Sequence, residues 1–87
     1  MYRIHFFVIE WKKKDSKICV LSTFFGASLK EFGTFQEAQS QCIKDENCVG
    51  ISDKRCEEPN NKLYSLCNSK TTKMVQNTKG CTYEKPG

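Results

Sequence analysis

The sequence has little histidine and few of the patterns on which enzyme and metal chemistry is built. It holds one histidine, His5, no Cys-x-x-Cys pair and no closely spaced histidines. Zinc sites of the common kind need such pairs, so a metal role for the cysteines is disfavoured. There is no Gly-rich phosphate loop, no EF-hand pattern and no Asn-x-Ser/Thr glycosylation site. Long apolar runs are also missing. Phe6–Ile9 spans 4 residues, far below the roughly 20 that cross a bilayer, so no membrane insertion is expected. The first eleven residues, broken by His5 and Glu10, make a poor secretion signal, which suggests a mature protein, an excised domain or an incomplete gene model.

What the chain has is cysteine. Six occur in 87 residues, at 19, 42, 48, 56, 67 and 81, with intervening gaps of 22, 5, 7, 10 and 13 residues. Apolar residues make up only 38% of the chain, so a domain of this size has a modest core and gains from covalent staples. An even number of cysteines without metal spacing reads as three disulfides, and disulfides point to a secreted or extracellular setting. Sequence alone leaves fifteen ways to pair them.

The charge is mild overall, +4, but unevenly laid out. Residues 1–30 carry six cations against two anions, residues 31–58 three against seven, and residues 59–87 five against one. Solvated faces account for such blocks, although a basic–acidic–basic order also orients a partner. Nucleic acid is a poor fit to so small an excess.

Pattern along the chain gives an α+β domain. Tyr2–Trp11 is rich in aromatic and β-branched residues and reads as an extra N-terminal strand of uncertain role. Lys12–Ser16 reads as a polar turn, 17–23 as a second strand, and Phe24-Phe25-Gly26 as the start of a loop. The clearest element is a helix over 35–46. Thr34 is a suitable N-cap, Glu37 completes a capping box, and Phe35, Ala38 and Cys42 form an apolar stripe. Asn47 is a plausible stop. Short strands follow at 48–53, 63–67 and 80–85, while 68–79 is polar and loosely patterned.

The order of these features resembles the PAN/apple domain family. The likeness lies in a capped helix ending in Cys42, then Cys48-Val49-Gly50-Ile51, then Cys56, then Leu63-Tyr64-Ser65-Leu66-Cys67, and last Gly80-Cys81-Thr82-Tyr83-Glu84-Lys85-Pro86. It covers 11–86 of a single domain spanning 1–87 and is most specific over 34–67. The resemblance implies one helix packed on a curved antiparallel sheet. It also implies nested pairing, Cys19–Cys81, Cys42–Cys67 and Cys48–Cys56. Members of the family bind proteins or carbohydrates without catalysis, which implies an extracellular protein or glycan as partner and no cofactor.

Two surface features are candidate contacts. Trp11 followed by Lys12, Lys13, Lys14 and Lys17 sets ammonium groups beside an aromatic ring, which suits sulfated glycans or acidic proteins. The plainer reading is a solubilising turn. Lys54 and Arg55 beside Cys56 form a basic pair held by a disulfide, the shape of a protease-inhibitor bait in a secreted effector or toxin. His5 in a strand, and the acidic neighbours Asp45–Glu46 and Glu57–Glu58, read as ordinary strand and surface residues, so no catalytic site is expected.

Overall fold

The computed structural model describes residues 11–22, 29–58, 60 and 62–86. The strand expected over 2–11, with His5, and the Phe24-Phe25-Gly26 break lie outside the described residues except for Trp11. The element order is β1 (Lys12–Leu21), β2 (Glu31–Phe32), α1 (Phe35–Lys44), β3 (Cys48–Asp53), β4 (Tyr64–Asn68) and β5 (Thr72–Glu84). The strands form one antiparallel sheet in the order β1-β5-β3-β4-β2. One helix on an antiparallel sheet, held by three disulfides, is the expected α+β class.

Helix α1 begins where its first turn can be satisfied. The Glu37 N–H donates to the Thr34 hydroxyl at 3.1 Å. The Glu37 carboxylate accepts from that same hydroxyl at 3.3 Å, so the expected capping box closes through the side chain of Thr34. The helix stops at Asp45 rather than Asn47. The Lys85 ammonium donates to the carbonyls of Cys42 and Asp45 at 2.8 and 3.2 Å, placing a cation at the negative end of the helix dipole. Ala38 and Cys42, one turn apart, are buried against Cys48 and Ile51. Phe32, Phe35, Tyr64 and Leu66 close the rim. Phe35 is the hub, meeting Trp11, Tyr64 and Tyr83 edge-on at 6.0, 5.6 and 5.1 Å between centroids.

The opposite face of the sheet is covered by the sheet's own outer ribbon. Strands β1 and β5 pair from Lys12↔Glu84 to Asp15↔Cys81, then resume at Lys17↔Gln76. One residue of β1, Ser16, thus opposes the four residues Asn77–Gly80 of β5. Ser16 adopts a positive φ of 64°, a conformation that a serine pays for in strain. Bulges bend and twist a ladder, and the consequence here is large. In the plane of the sheet β1 lies three strand spacings from β4, about 14 Å. Yet the Cα atoms of Cys19 and Cys67 are 5.6 Å apart. The far half of the ribbon has folded across the face opposite α1.

That second interface is largely polar and fully accounted for. The Cys19 N–H donates to the Ser52 hydroxyl at 2.8 Å, and the Thr82 hydroxyl donates to the Lys17 carbonyl at 2.8 Å. This leaves the Ser52 hydroxyl proton for the Thr82 oxygen, 2.8 Å away. Among the described residues no buried side-chain nitrogen or oxygen lacks a partner. Gly80 sits where the ribbon turns. A Cβ there would lie 2.4 Å from Ile18 Cγ2 and 3.1 Å from the Asp53 carbonyl oxygen.

The cysteines pair as Cys19–Cys67, Cys42–Cys48 and Cys56–Cys81. None of the three pairs implied by the family resemblance is present. Cys81 stands opposite Asp15 and Cys19 opposite Met74, so the ladder and its bulge hold Cys19 and Cys81 apart. Cys67 pairs with Gly50, one residue from Ile51↔Leu66, so its side chain points away from the helix that carries Cys42. Cys48 and Cys56 do not flank a hairpin: the residues between them run as the single extended strand β3 before turning.

Two segments without a strand pattern in the sequence, one of them read as a polar turn, belong to strands. Lys12–Ser16 pairs along β5, and much of the polar 68–79 stretch is the first half of β5. Both are solvent-facing parts of a two-stranded ribbon. They are held by backbone hydrogen bonds, so their side chains carry no apolar signal.

Two outcomes are expected. Proteolysis under non-reducing conditions, read by mass spectrometry, yields peptides joined 19–67, 42–48 and 56–81; any nested pair overturns the fold-back. Gly80→Ala lowers stability by about 1–3 kcal/mol in urea unfolding, because Ile18 is buried and branched and cannot yield cheaply; an unchanged midpoint contradicts the packing described.

Candidate groove at the ribbon bulge

The bulge opens a groove of about 650 Å³ between three segments. Lys13, Asp15 and Ser16 of β1 form one side, the turn Arg55–Glu58 after β3 forms another, and Thr78–Gly80 of β5 form the floor. The turn is joined to the β5 floor covalently by Cys56–Cys81, and the Cys56 N–H donates to the Lys79 carbonyl at 2.9 Å.

The turn is locked from beneath by an ion pair. Asp53 is 2% exposed, and such a carboxylate needs its lone pairs filled. One oxygen accepts the Arg55 N–H at 2.9 Å and the other accepts the Lys62 ammonium at 2.8 Å. The same ammonium donates to the carbonyls of Arg55 and Cys56 at 2.7 and 2.9 Å. A second bond to the Arg55 carbonyl comes from the Glu58 N–H at 3.1 Å. Tyr64 packs at the edge of this cluster. Burial first, then the Asp53 carboxylate, pushes its phenol above the usual tyrosine range, with Tyr83 adding to the shift and Lys62 opposing it. The phenol therefore stays neutral.

Oxygen and sulfur atoms of Asp53, Cys56 and Cys81 lie within 4.8 Å of one another. Both sulfurs are disulfide-bonded and the carboxylate is taken up by Lys62 and Arg55, so in this oxidised form the group does not offer the thiolates a metal requires.

Charge at the groove is balanced. Lys13 pairs with Asp15 at 3.7 Å and Arg55 with Glu58 at 3.6 Å, while Lys79 and Glu57 add one charge of each sign. Exposed pairs at these distances contribute little to stability and are free to exchange partners.

The residues singled out from sequence are dispersed. Successive lysines on a strand alternate faces, so Lys12 and Lys14 lie on the side away from α1 and Lys13 on the helix side. Lys14 is held by Glu84 at 3.3 Å. Lys17 lies beyond the bulge, and Trp11 is half-buried against Phe35. Only Lys13 reaches the groove. Lys54 and Arg55 are both exposed, but only Arg55 lines this groove; Lys54 lines separate depressions. The backbone around Arg55 is a closed turn rather than the extended strand that a protease cleft pairs with, which weighs against a bait role. Ser16, Thr78 and Gly80 were invisible as site residues. Their one local signal is Asn77 ahead of Gly80, and the Asn77 carboxamide accepts the Lys79 N–H at 3.0 Å.

Lys62→Ala removes one partner of a shielded pair. The expected loss is about 2–3 kcal/mol, below the ~3–5 of a fully buried pair because the Lys62 side chain is one-fifth exposed. Limited trypsin digestion then cuts after Arg55 in the variant and spares that bond in the native protein; equal cutting of both shows that the turn is not locked.

No family model, curated protein or solved structure matches this chain.

Proposed function

We propose that the chain is a non-catalytic extracellular recognition module, binding a protein or carbohydrate ligand through loops on a disulfide-held scaffold. The observation that carries this reading is the bulge groove. It is open, charge-balanced, lined mostly by exposed side chains, and its turn wall is bolted to its β5 floor by Cys56–Cys81. A rigid frame carrying exposed loops binds with little ordering cost, which is how small stapled domains recognise partners.

The setting is consistent with this. All six sulfurs are in disulfides, the chemistry of an oxidising compartment, and secretion is the proposal that follows. No described helix is long and apolar enough to cross a membrane. The PAN/apple resemblance stays part of the proposal through the helix-and-sheet layer from which it was drawn; the cysteine pairing lends it nothing.

The test is to present the folded, oxidised protein to a glycan array and to extracellular fluid, then measure any captured partner against variants. A protein ligand bound at the bulge weakens about tenfold with Arg55→Glu or Lys79→Glu and is indifferent to Lys12→Glu on the far face. Failure to capture a ligand of either class ends the recognition reading.

A further inference from the structure

The three disulfides differ in what can reach their sulfurs. Five of the cysteines are at most 2% exposed, and Cys56 alone is half-buried. Cys42–Cys48 lies in the core under α1, its two sulfurs 3.9 and 3.3 Å from the Gly50 carbonyl oxygen. Cys19–Cys67 lies under the ribbon, where the Ser52 hydroxyl oxygen sits 3.1 and 3.3 Å from its sulfurs. Cys19 also borders a smaller depression, yet almost none of its surface meets solvent. Cys56–Cys81 is placed differently. Cys56 lines the bulge groove, a space of about 650 Å³, while Cys81 is fully buried.

We propose that Cys56 is a thiol-exchange site, at which a small thiol entering the bulge groove opens Cys56–Cys81 and leaves the other two disulfides intact. Exchange proceeds by attack of a thiolate on one sulfur of a disulfide, so a sulfur that no thiolate reaches does not react. The attacking thiol gives its proton to solvent, and its sulfur bonds to Cys56 Sγ. The Cys56–Cys81 bond breaks, and Cys81 leaves with the electron pair and takes up a proton. The products are a mixed disulfide on Cys56 and a thiol at Cys81. A second small thiol then attacks its own kind in the adduct and releases the Cys56 thiol. Over both steps the small thiol is oxidised to its disulfide by two electrons, and Cys56–Cys81 is reduced by two.

The fold around this bond keeps its other ties when the bond opens. Strand β5 stays paired with β1 and β3. The turn keeps the Cys56 N–H bond to the Lys79 carbonyl and the Lys62 bonds to the carbonyls of Arg55 and Cys56. Opening Cys19–Cys67 instead removes the covalent tie that holds the ribbon across the sheet, and opening Cys42–Cys48 frees the end of α1 from β3. The adduct is carried by a residue that lines the groove, so it stands in the space where the proposed partner binds. That last consequence rests on the recognition reading; the exchange itself does not.

The test is to incubate the oxidised protein with reduced glutathione in native buffer, block free thiols with N-ethylmaleimide at intervals, and map the peptides by mass spectrometry. Glutathione appears on Cys56 and maleimide on Cys81, about tenfold or more faster than any change at the other four cysteines. The double variant Cys56→Ser, Cys81→Ser takes up no glutathione on that timescale and retains Cys19–Cys67 and Cys42–Cys48. Where the variant does not fold, mapping of the native protein decides alone. First labelling at Cys19, Cys42, Cys48 or Cys67, glutathione on Cys81 in place of Cys56, or opening of all three pairs together overturns the proposal. A partner captured at the bulge binds the adduct about tenfold or more weakly than the oxidised protein; equal affinity overturns the blocking of the groove. The mapping needs no partner, so failure to capture one removes the recognition reading and leaves the exchange site to be decided by the labelling order.

Discussion

The structure depends on one interruption in a ladder. Ser16 opposite Asn77–Gly80 lets the β1–β5 ribbon bend back over the sheet. Without that bend β1 would remain a flat outer strand, the face opposite α1 would lie open, and Cys19 would be out of reach of Cys67. The conditions for the bend are local and steric: a serine held at positive φ, and a residue without a side chain at Gly80 to let Ile18 and the Asp53 carbonyl approach.

The sheet consequently has two unlike interfaces. Under α1 the contacts are aromatic and aliphatic, centred on Phe35 and Ile51. Under the ribbon they are a disulfide, Ile18 and a closed chain of hydroxyl and amide hydrogen bonds through Ser52 and Thr82. A chain with little apolar material secures the second interface by satisfied polar groups and a covalent bond. The other two disulfides act more locally: Cys42–Cys48 ties the end of the helix to β3, and Cys56–Cys81 ties the turn after β3 to the bulge.

The lysine run has a structural role that its composition did not suggest. In the sheet order β1 is an outer strand. Lysines on both faces and a bulge at Ser16 are the features that discourage such an edge from pairing with another chain. Of Trp11, Lys12, Lys13, Lys14 and Lys17, only Lys13 lines the charge-balanced groove at the bulge.

The sequence by itself determined the oxidised cysteines, the α+β class and the capped helix. These are legible because they rest on composition and on contacts within a few residues. Thr34 and Glu37 are three apart, and Ala38 and Cys42 lie one turn apart on the buried stripe. Lys12–Ser16 of β1 and the first half of β5 carry no legible strand pattern, because a solvent-facing strand is held by backbone bonds, which leave no trace in side-chain hydropathy. The groove residues Ser16, Thr78 and Gly80 were missed because they meet only through that ribbon. Tertiary structure alone decided the cysteine pairing. A disulfide needs its two Cβ atoms within a few ångströms. That proximity is set by register, by which face each residue takes, and by the bulge that carries Cys19 across the sheet.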